Sequence, residues 1–490
     1  MTDKLKINRE EPSSDTDPEN AENEIYRNYK EEPGDDDGEN RHPTNRSSIT
    51  LTGLFITKAM IGSGLLNVPY IFKTLGVIFG LFASFFLEFI STLSCYFLLR
   101  CKDITQHYSY SVYAKLTMGI VGTITSKIVL VIRCLTLCCV LLKICGKILR
   151  TLLLIFLSQY SERFFLNSEF LLVILAVVIM PTMFQKDISG VSKYTSLGIF
   201  SILFLFFALF ILFIFKITQG EIKPFEKRML YIEKDFYKIF KCFGSYLNAY
   251  FFQVNFFPIY LPLHPRNSKN MLKATIFGTM LSSILYISFG LVGFTIYRYD
   301  INDTLLNYLG DDLIKYLKTN KLIATLLIVF EIAFIINTTI STMLNFFTGK
   351  SGLIGLVKLI KKHVQSKNKE NKGIPLVEVD EKGIAKKDDE VKEKEKEEEE
   401  DVLSESAKTM ITLLVYIVVV FVAYTSDNII SLDNFNGSTV NNYLSLMLPA
   451  LFFIIFSKDK SFSFEKLLAI FTIILSFSLI TGYFLLNFIL

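Results

Sequence analysis

The chain has 490 residues, of which 51% are hydrophobic and 14% aromatic, with 46 Phe, no Trp and a mean hydropathy of +0.41. Such apolar content excludes an ordinary soluble enzyme and points to a chain threaded repeatedly through a bilayer. The net charge is only +4, which gives no ground for a nucleic-acid partner.

From Met1 to Arg46 the sequence is rich in Glu, Asp, Asn, Ser and Pro and holds no apolar core of a secretory signal. Residues 1–46 read as a disordered cytosolic tail, because they cannot bury enough apolar area to offset ordering entropy. A bilayer core about 30 Å thick needs roughly 20 apolar residues per helix. That rule places spans near 51–75, 77–99, 124–149, 169–185, 192–217, 240–262, 274–297 and 321–347. Three more follow near 409–425, 439–457 and 465–489. The organisation expected is therefore helices one to eight within 47–360, a charged cytosolic insert at 361–408, and helices nine to eleven within 409–490. The insert mixes Lys and Glu, as in "KKDDEVKEKEKEEEED", and reads as a solvated helix or a disordered segment.

Basic loops favour the cytoplasmic side. "RCKDITQHYSYSVYAK", "QKDISGVSK", "HPRNSKNMLK" and "SKDKSFSFEK" all fall on the side of the N-terminus, which is therefore expected to be cytosolic. The acidic "SDNIISLDNFNGSTVNN" reads as an external loop with a glycosylation sequon at Asn436. One segment opposes this: "KITQGEIKPFEKRMLYIEKDFYK" would be external yet is rich in lysine. The seven cysteines lie in or beside apolar runs without metal-like spacing and read as free, packed thiols.

Within the first span stands "TKAMIGSGLLNVPYIFK", where Gly62-Ser63-Gly64 and Pro69 weaken a helix that lipid would punish for any unsatisfied backbone. A break there frees amide N–H groups at the start of a new half-helix, and these suit a carboxylate. Ile61, Gly62, Ser63 and Gly64 are thus candidate substrate contacts; a small-residue packing surface is the competing explanation. In the later run "CFGSYLNAYFFQVNFFPIYLPL", Tyr250, Phe251 and Gln253 are further candidates, with Asn255 beside them. Interhelical hydrogen bonding would explain Gln253 equally well. Lys58, Glu88, Arg133, Lys143 and Glu331 are ionisable within spans, where charge is costly and tends to be functional. Glu88 and Lys143 lie near enough to helix ends to snorkel. No nucleophile elbow, phosphate loop or metal cluster is visible, so neither an enzyme nor a resident metal or cofactor is expected.

"ITKAMIGSGLLNVPYIFKTLG" resembles the first-helix signature of the amino acid/auxin permease family of transporters. The run at 242–263 is similar to that family's sixth helix, and "PTMFQKDISGVSKYTSLGIF" from Pro181 to its connection between helices four and five. The resemblance implies an all-α polytopic membrane protein with a leucine-transporter-like fold: about 11 transmembrane helices, in two inverted five-helix repeats plus one. It implies secondary active transport of an amino acid by alternating access at the breaks in helices one and six. Sodium-coupled members carry Asn where this chain has Lys58, and hold a sodium ion between helices one and eight. The eighth helix here, "FEIAFIINTTISTMLNFF", lacks the usual Pro and Arg, with Thr339 and Ser341 in their places. A tethered ammonium makes cation binding there unfavourable, so coupling to protons or to substrate gradients is expected, with Lys58 and Glu331 as ion-coupling residues. The host would be the plasma membrane or a vacuolar, lysosome-like membrane. A sensor or scaffold that keeps the transporter fold is the alternative, and a channel a weaker one.

Overall fold

The computed structural model describes residues 46–157, 164–184, 195–301, 304–371, 404–426, 429–457 and 463–488. The N-terminal tail to residue 45, the connection at 185–194 and the insert at 372–403 lie outside the described residues. Everything described is helical apart from loops and a single isolated bridge between Ser47 and Leu263.

In chain order the helices are α1 (Ile49–Met60), α2 (Val68–Thr105), α3 (Tyr110–Leu157), α4 (Ser168–Met183), α5 (Thr195–Thr218), α6 (Phe236–Ala249) and α7 (Phe256–Tyr260). They continue with α8 (Ser268–Tyr297), α9 (Leu305–Thr319), α10 (Lys321–Asn371), α11 (Glu405–Thr425), α12 (Ile429–Phe435), α13 (Leu448–Phe456) and α14 (Phe464–Phe488). Side-chain caps set several starts: Ser48, Asn167, Asp235, Asn267 and Ser404 each accept from a first-turn amide. Among the described residues eight helical stretches are long and apolar enough to cross a membrane, and α1 and α4 are shorter apolar helices.

Helix length shows that some stretches hold more than one crossing. The 38 residues of α2 would reach about 57 Å at 1.5 Å per residue, nearly twice a bilayer core. They are divided at Gly76, whose φ of +70° only glycine adopts freely and whose Cβ would sit 2.5 Å from the Tyr231 backbone. With α1 and the residues up to Leu75 as one broken crossing, α6 and α7 as another, and α12 to α13 as one, the described residues make eleven. The two broken crossings are the first and the sixth. Five crossings separate their starts, so the second set enters from the opposite face: two inverted repeats of five helices, plus α14.

The expected external loop at 426–442 is corrected. Residues 429–447 are helix, partly π-helical, and form the first half of the tenth crossing, so the sequon residue Asn436 is buried at 1% exposure. Hydropathy placed this span at 439–457 and hid only its first part, because the polar residues there face protein rather than lipid. Gly244 of α6 and Gly437 interlock there, a Cβ on Gly437 falling 1.9 Å from Gly244 O. The lysine-rich 216–238 segment lies on the face opposite the start of α1, and two of its cations are matched by carboxylates: Lys216 by Asp312, and Lys238 by Glu233 and Asp235. Arg298 and Lys315, on the same face, pair with Glu226 and Glu221 of this segment. All seven cysteines are buried and free.

A large apolar core runs through α1, α2, α6, α8 and α13, and a smaller one, around Cys138, Leu172, Phe346 and Tyr416, joins α3, α4, α10 and α11.

Candidate functional site

The first break follows from its glycines. α1 ends at Met60, Ile61 is extended (φ −77°, ψ 102°), and a 3₁₀ turn at Ser63–Asn67 restarts the helix before Pro69. The first amides of a restarted helix have no intrahelical acceptor. The two glycines differ in their surroundings. A Cβ on Gly62 would meet nothing within 4 Å, and Gly62 is exposed while Ile61 and Gly64 are buried. A Cβ on Gly64 would fall 2.8 Å from Ala249 Cβ, so Gly64 is a packing glycine where the two broken helices touch. Ile61 is buried.

The second break lies between Ala249 and Phe256. Its backbone ends are satisfied by Gln253 and by two side chains that residue type and spacing do not mark, Tyr286 and Ser91. The Tyr286 hydroxyl, on α8, sits 2.8 Å from both Met60 O and Ala249 O, so one phenol holds the carbonyl ends of both half-helices. Ser91 Oγ donates to Tyr250 O at 2.8 Å. Gln253 is fully buried; its Oε1 accepts from the Phe252 amide at 3.0 Å and its Nε2 donates to Ser91 O and Oγ at 3.2 and 3.0 Å. These bonds occupy Gln253 in holding the break to α2. Tyr250 and Phe251 are buried, with the Tyr250 ring 5.2 Å from Tyr286 and 5.3 Å from Tyr246. Asn255 is exposed.

The intramembrane charges separate into three settings. Lys58 is half-buried and wedged among α1, α5 and α10: its Nζ and Asn337 Oδ1 both lie within 3.0 Å of the point a Gly198 Cβ would occupy. It has no hydrogen-bond or ion-pair partner among the described residues. Glu331, on α10, is 1% exposed, and among the described residues neither carboxylate oxygen finds a hydrogen-bond partner. Lys143 does not snorkel; it is buried and caps the end of α11 by donating to Ala423 O at 3.2 Å and to Ser426 O. Glu88 faces a crevice between α2 and α8, lined by Phe85, Ser283 and Ile284. Arg133 is buried and donates from Nε to Asn441 Oδ1 at 3.1 Å.

The family model for transmembrane amino acid transporter proteins matches residues 45–488. Among curated proteins, a Plasmodium falciparum protein named as amino acid transporter AAT1 is 26% identical over 266 residues, 52% of this chain and 41% of that one. Vacuolar amino acid transporter 7 of Saccharomyces cerevisiae is 22% identical over 258 residues, covering 52% of this chain and 50% of that protein. Amino acid transporter AVT6E of Arabidopsis thaliana is 22% identical over 311 residues, covering 59% and 62%. The chain spans about half the length of the curated relatives it matches. A solved nucleobase-cation-symport-1 family transporter, Mhp1 with bromovinylhydantoin bound, aligns with a TM-score of 0.49 at 10% identity, over 84% of this chain and 79% of that one. With its family model covering every described residue, this chain belongs to the transmembrane amino acid transporter family.

Proposed function

We propose that this protein carries amino acids across a membrane by alternating access, without sodium, and that the Lys58 ammonium stands where a coupled cation would otherwise bind. The observation that carries the reading is the open space at Gly62, flanked by the restarted helix and tied through Tyr286 to the end of α6. A substrate carboxylate placed there meets amide donors and a positive helix end at close range. Membership of the family, and the names of the three relatives, support an amino acid as the cargo. Substrate contacts fall to Ile61, Gly62, Ser63 and Gly64, with Tyr250, Phe251 and Gln253 shaping the second break.

Lys58 supports the sodium-free reading by its position. A fixed positive charge between the first, fifth and eighth crossings repels a second cation at the same place. Glu331, buried on α10 without a hydrogen-bond partner among the described residues, is the matching candidate for proton exchange. The basic loops on the N-terminal side support a cytosolic N-terminus. A plasma or vacuolar, lysosome-like membrane is the proposed host, and the yeast relative's name favours the latter.

Uptake of radiolabelled amino acids into proteoliposomes holding the full chain tests this directly. Uptake that is unchanged when choline replaces sodium is expected. Strong sodium dependence, or no uptake of any amino acid, would overturn it.

A further inference from the structure

Asp433, on α12, is wholly buried, yet among the described residues no cation touches it. Each carboxylate oxygen instead accepts from an amide on one of the two broken helices: Oδ2 from Asn67 Nδ2 at 2.6 Å and Oδ1 from Asn248 Nδ2 at 3.2 Å. Asn67 belongs to the turn that restarts the first crossing, and Asn248 to the last turn of α6 before its break. The chain continues outward, since Asn248 Oδ1 accepts from Asn441 Nδ2 at 3.0 Å and Asn441 Oδ1 accepts from Arg133 Nε. Asn67 Oδ1 is itself buried without a hydrogen-bond partner. One carboxylate thus joins the first, sixth and tenth crossings through neutral donors, with an idle acceptor beside it.

We infer that Asp433 binds a proton and that both broken helices sense its loading through Asn67 and Asn248. This deepens the transport reading above and rests on it, because it gives a coupled proton its residence. Ionised, the carboxylate accepts from both amides, as seen. When a proton from water bonds to Oδ2, that oxygen becomes a donor and the Asn67 N–H loses its acceptor. A half-turn of the Asn67 amide then brings the idle Oδ1 to accept the new O–H, and loss of the proton to water reverses the turn. The restarted helix is therefore held differently in the two states, while a buried carboxylic acid needs no counter-ion. The buried charged side chains on the helices packed against α12 are Arg133 and Lys143 of α3. α6 brings the Cys242 thiol and the Tyr246 phenol, both buried.

Two measurements on the full-length protein decide the matter. In proteoliposomes, a one-unit pH gradient drives about tenfold accumulation per coupled proton. Wild type is expected to show that response, and Asp433→Asn to show none whatever its rate of exchange. An Asp433→Asn protein that accumulates substrate as wild type does would overturn the inference. The second is an infrared titration of purified protein, independent of transport. Acidification should produce a protonated-carboxyl band, absent from Asp433→Asn. Its midpoint should rise by about one pH unit in Asn67→Ala, since removing an N–H donor disfavours the carboxylate. An unmoved midpoint in both Asn67→Ala and Asn248→Ala would overturn the inference even if Asp433→Asn fails to fold. Wild-type vesicles without any amino acid exchange would sink the transport reading, leaving the titration to judge Asp433.

Discussion

The face opposite the start of α1 and the middle of the bundle treat charge in opposite ways. At the far face, buried charges are paired. Lys216 Nζ lies 2.7 Å from Asp312 Oδ2 and 4.7 Å above the Tyr297 ring, and Tyr297 Oη donates to the same carboxylate at 2.5 Å. Arg298 binds Glu226 at 2.9 Å and the carbonyls of Lys223 and Pro224. These contacts pin α9 and the 219–235 loop to α5 and α8. In the middle, Lys58 and Glu331 have no ionic partner among the described residues, and Asp433 is held by amides alone. Pairing fixes one arrangement, whereas an unpaired charge in a low dielectric stores free energy that a movement or a bound proton releases. The difference teaches where the bundle is built to hold and where it is built to change.

Breaking the far-face pair should cost the most. Asp312→Ala leaves Lys216 buried without its partner and should lower folding stability by about 3–5 kcal/mol, read as thermal unfolding in detergent. Replacing both, as Lys216→Met with Asp312→Leu, should recover most of that loss; if it does not, the pair is more than a structural clamp. The contrast sharpens at Lys58. Lys58→Met removes a charge that has no ionic partner, so stability should hold or rise, while uptake should fall about a hundredfold, near 2.7 kcal/mol of lost coupling. Normal transport by this variant would reduce Lys58 to a packing residue.

The two glycines of the first break give the next contrast. Gly64→Ala forces its methyl to 2.8 Å from Ala249 Cβ and should cost about 1–3 kcal/mol of stability through overpacking. Gly62→Leu meets open space, so abundance and unfolding should stay near wild type while uptake is lost. Equal loss of stability in both would place Gly62 in the packing as well.

The smallest effect is expected from Glu221, exposed at the rim of the far face. The Lys315 hydrogen bond holds its carboxyl below the ordinary 4.5, with Tyr316 Oη donating to the other oxygen. A depressed carboxyl stabilises the folded state above its unfolded value and loses that contribution as pH falls through the folded one. Thermal stability should therefore drop slightly on acidification below about pH 4.5, by no more than about 1 kcal/mol for so exposed a pair. Lys315→Ala should abolish that step, and an unchanged pH profile would show that the clamp contributes nothing at the rim.

Hydropathy counted the crossings because lipid admits little except long apolar helices, and the glycine–proline run marked the first break because backbone freedom is written in residue type. The same logic failed at 429–442, read as an external loop although the span itself was expected at 439–457. There Asp433, Asn434, Asn436, Ser438, Asn441 and Asn442 face neighbouring helices, and a polar run facing protein is indistinguishable in one dimension from a loop. Candidate residues divided likewise. Lys58 and Glu331 were visible as charges inside apolar runs, but nothing local says that Lys58 points at Gly198 and Asn337, 140 and 279 positions away. Nor could spacing show that Gln253 spends its amide on Ser91, or that Tyr286 joins the ends of α1 and α6. Residue type and hydropathy determined how many times this chain crosses and where its helices weaken. Which buried groups share a hydrogen bond, and which are left without one, was decided by contacts between segments hundreds of residues apart, brought together only when the helices pack.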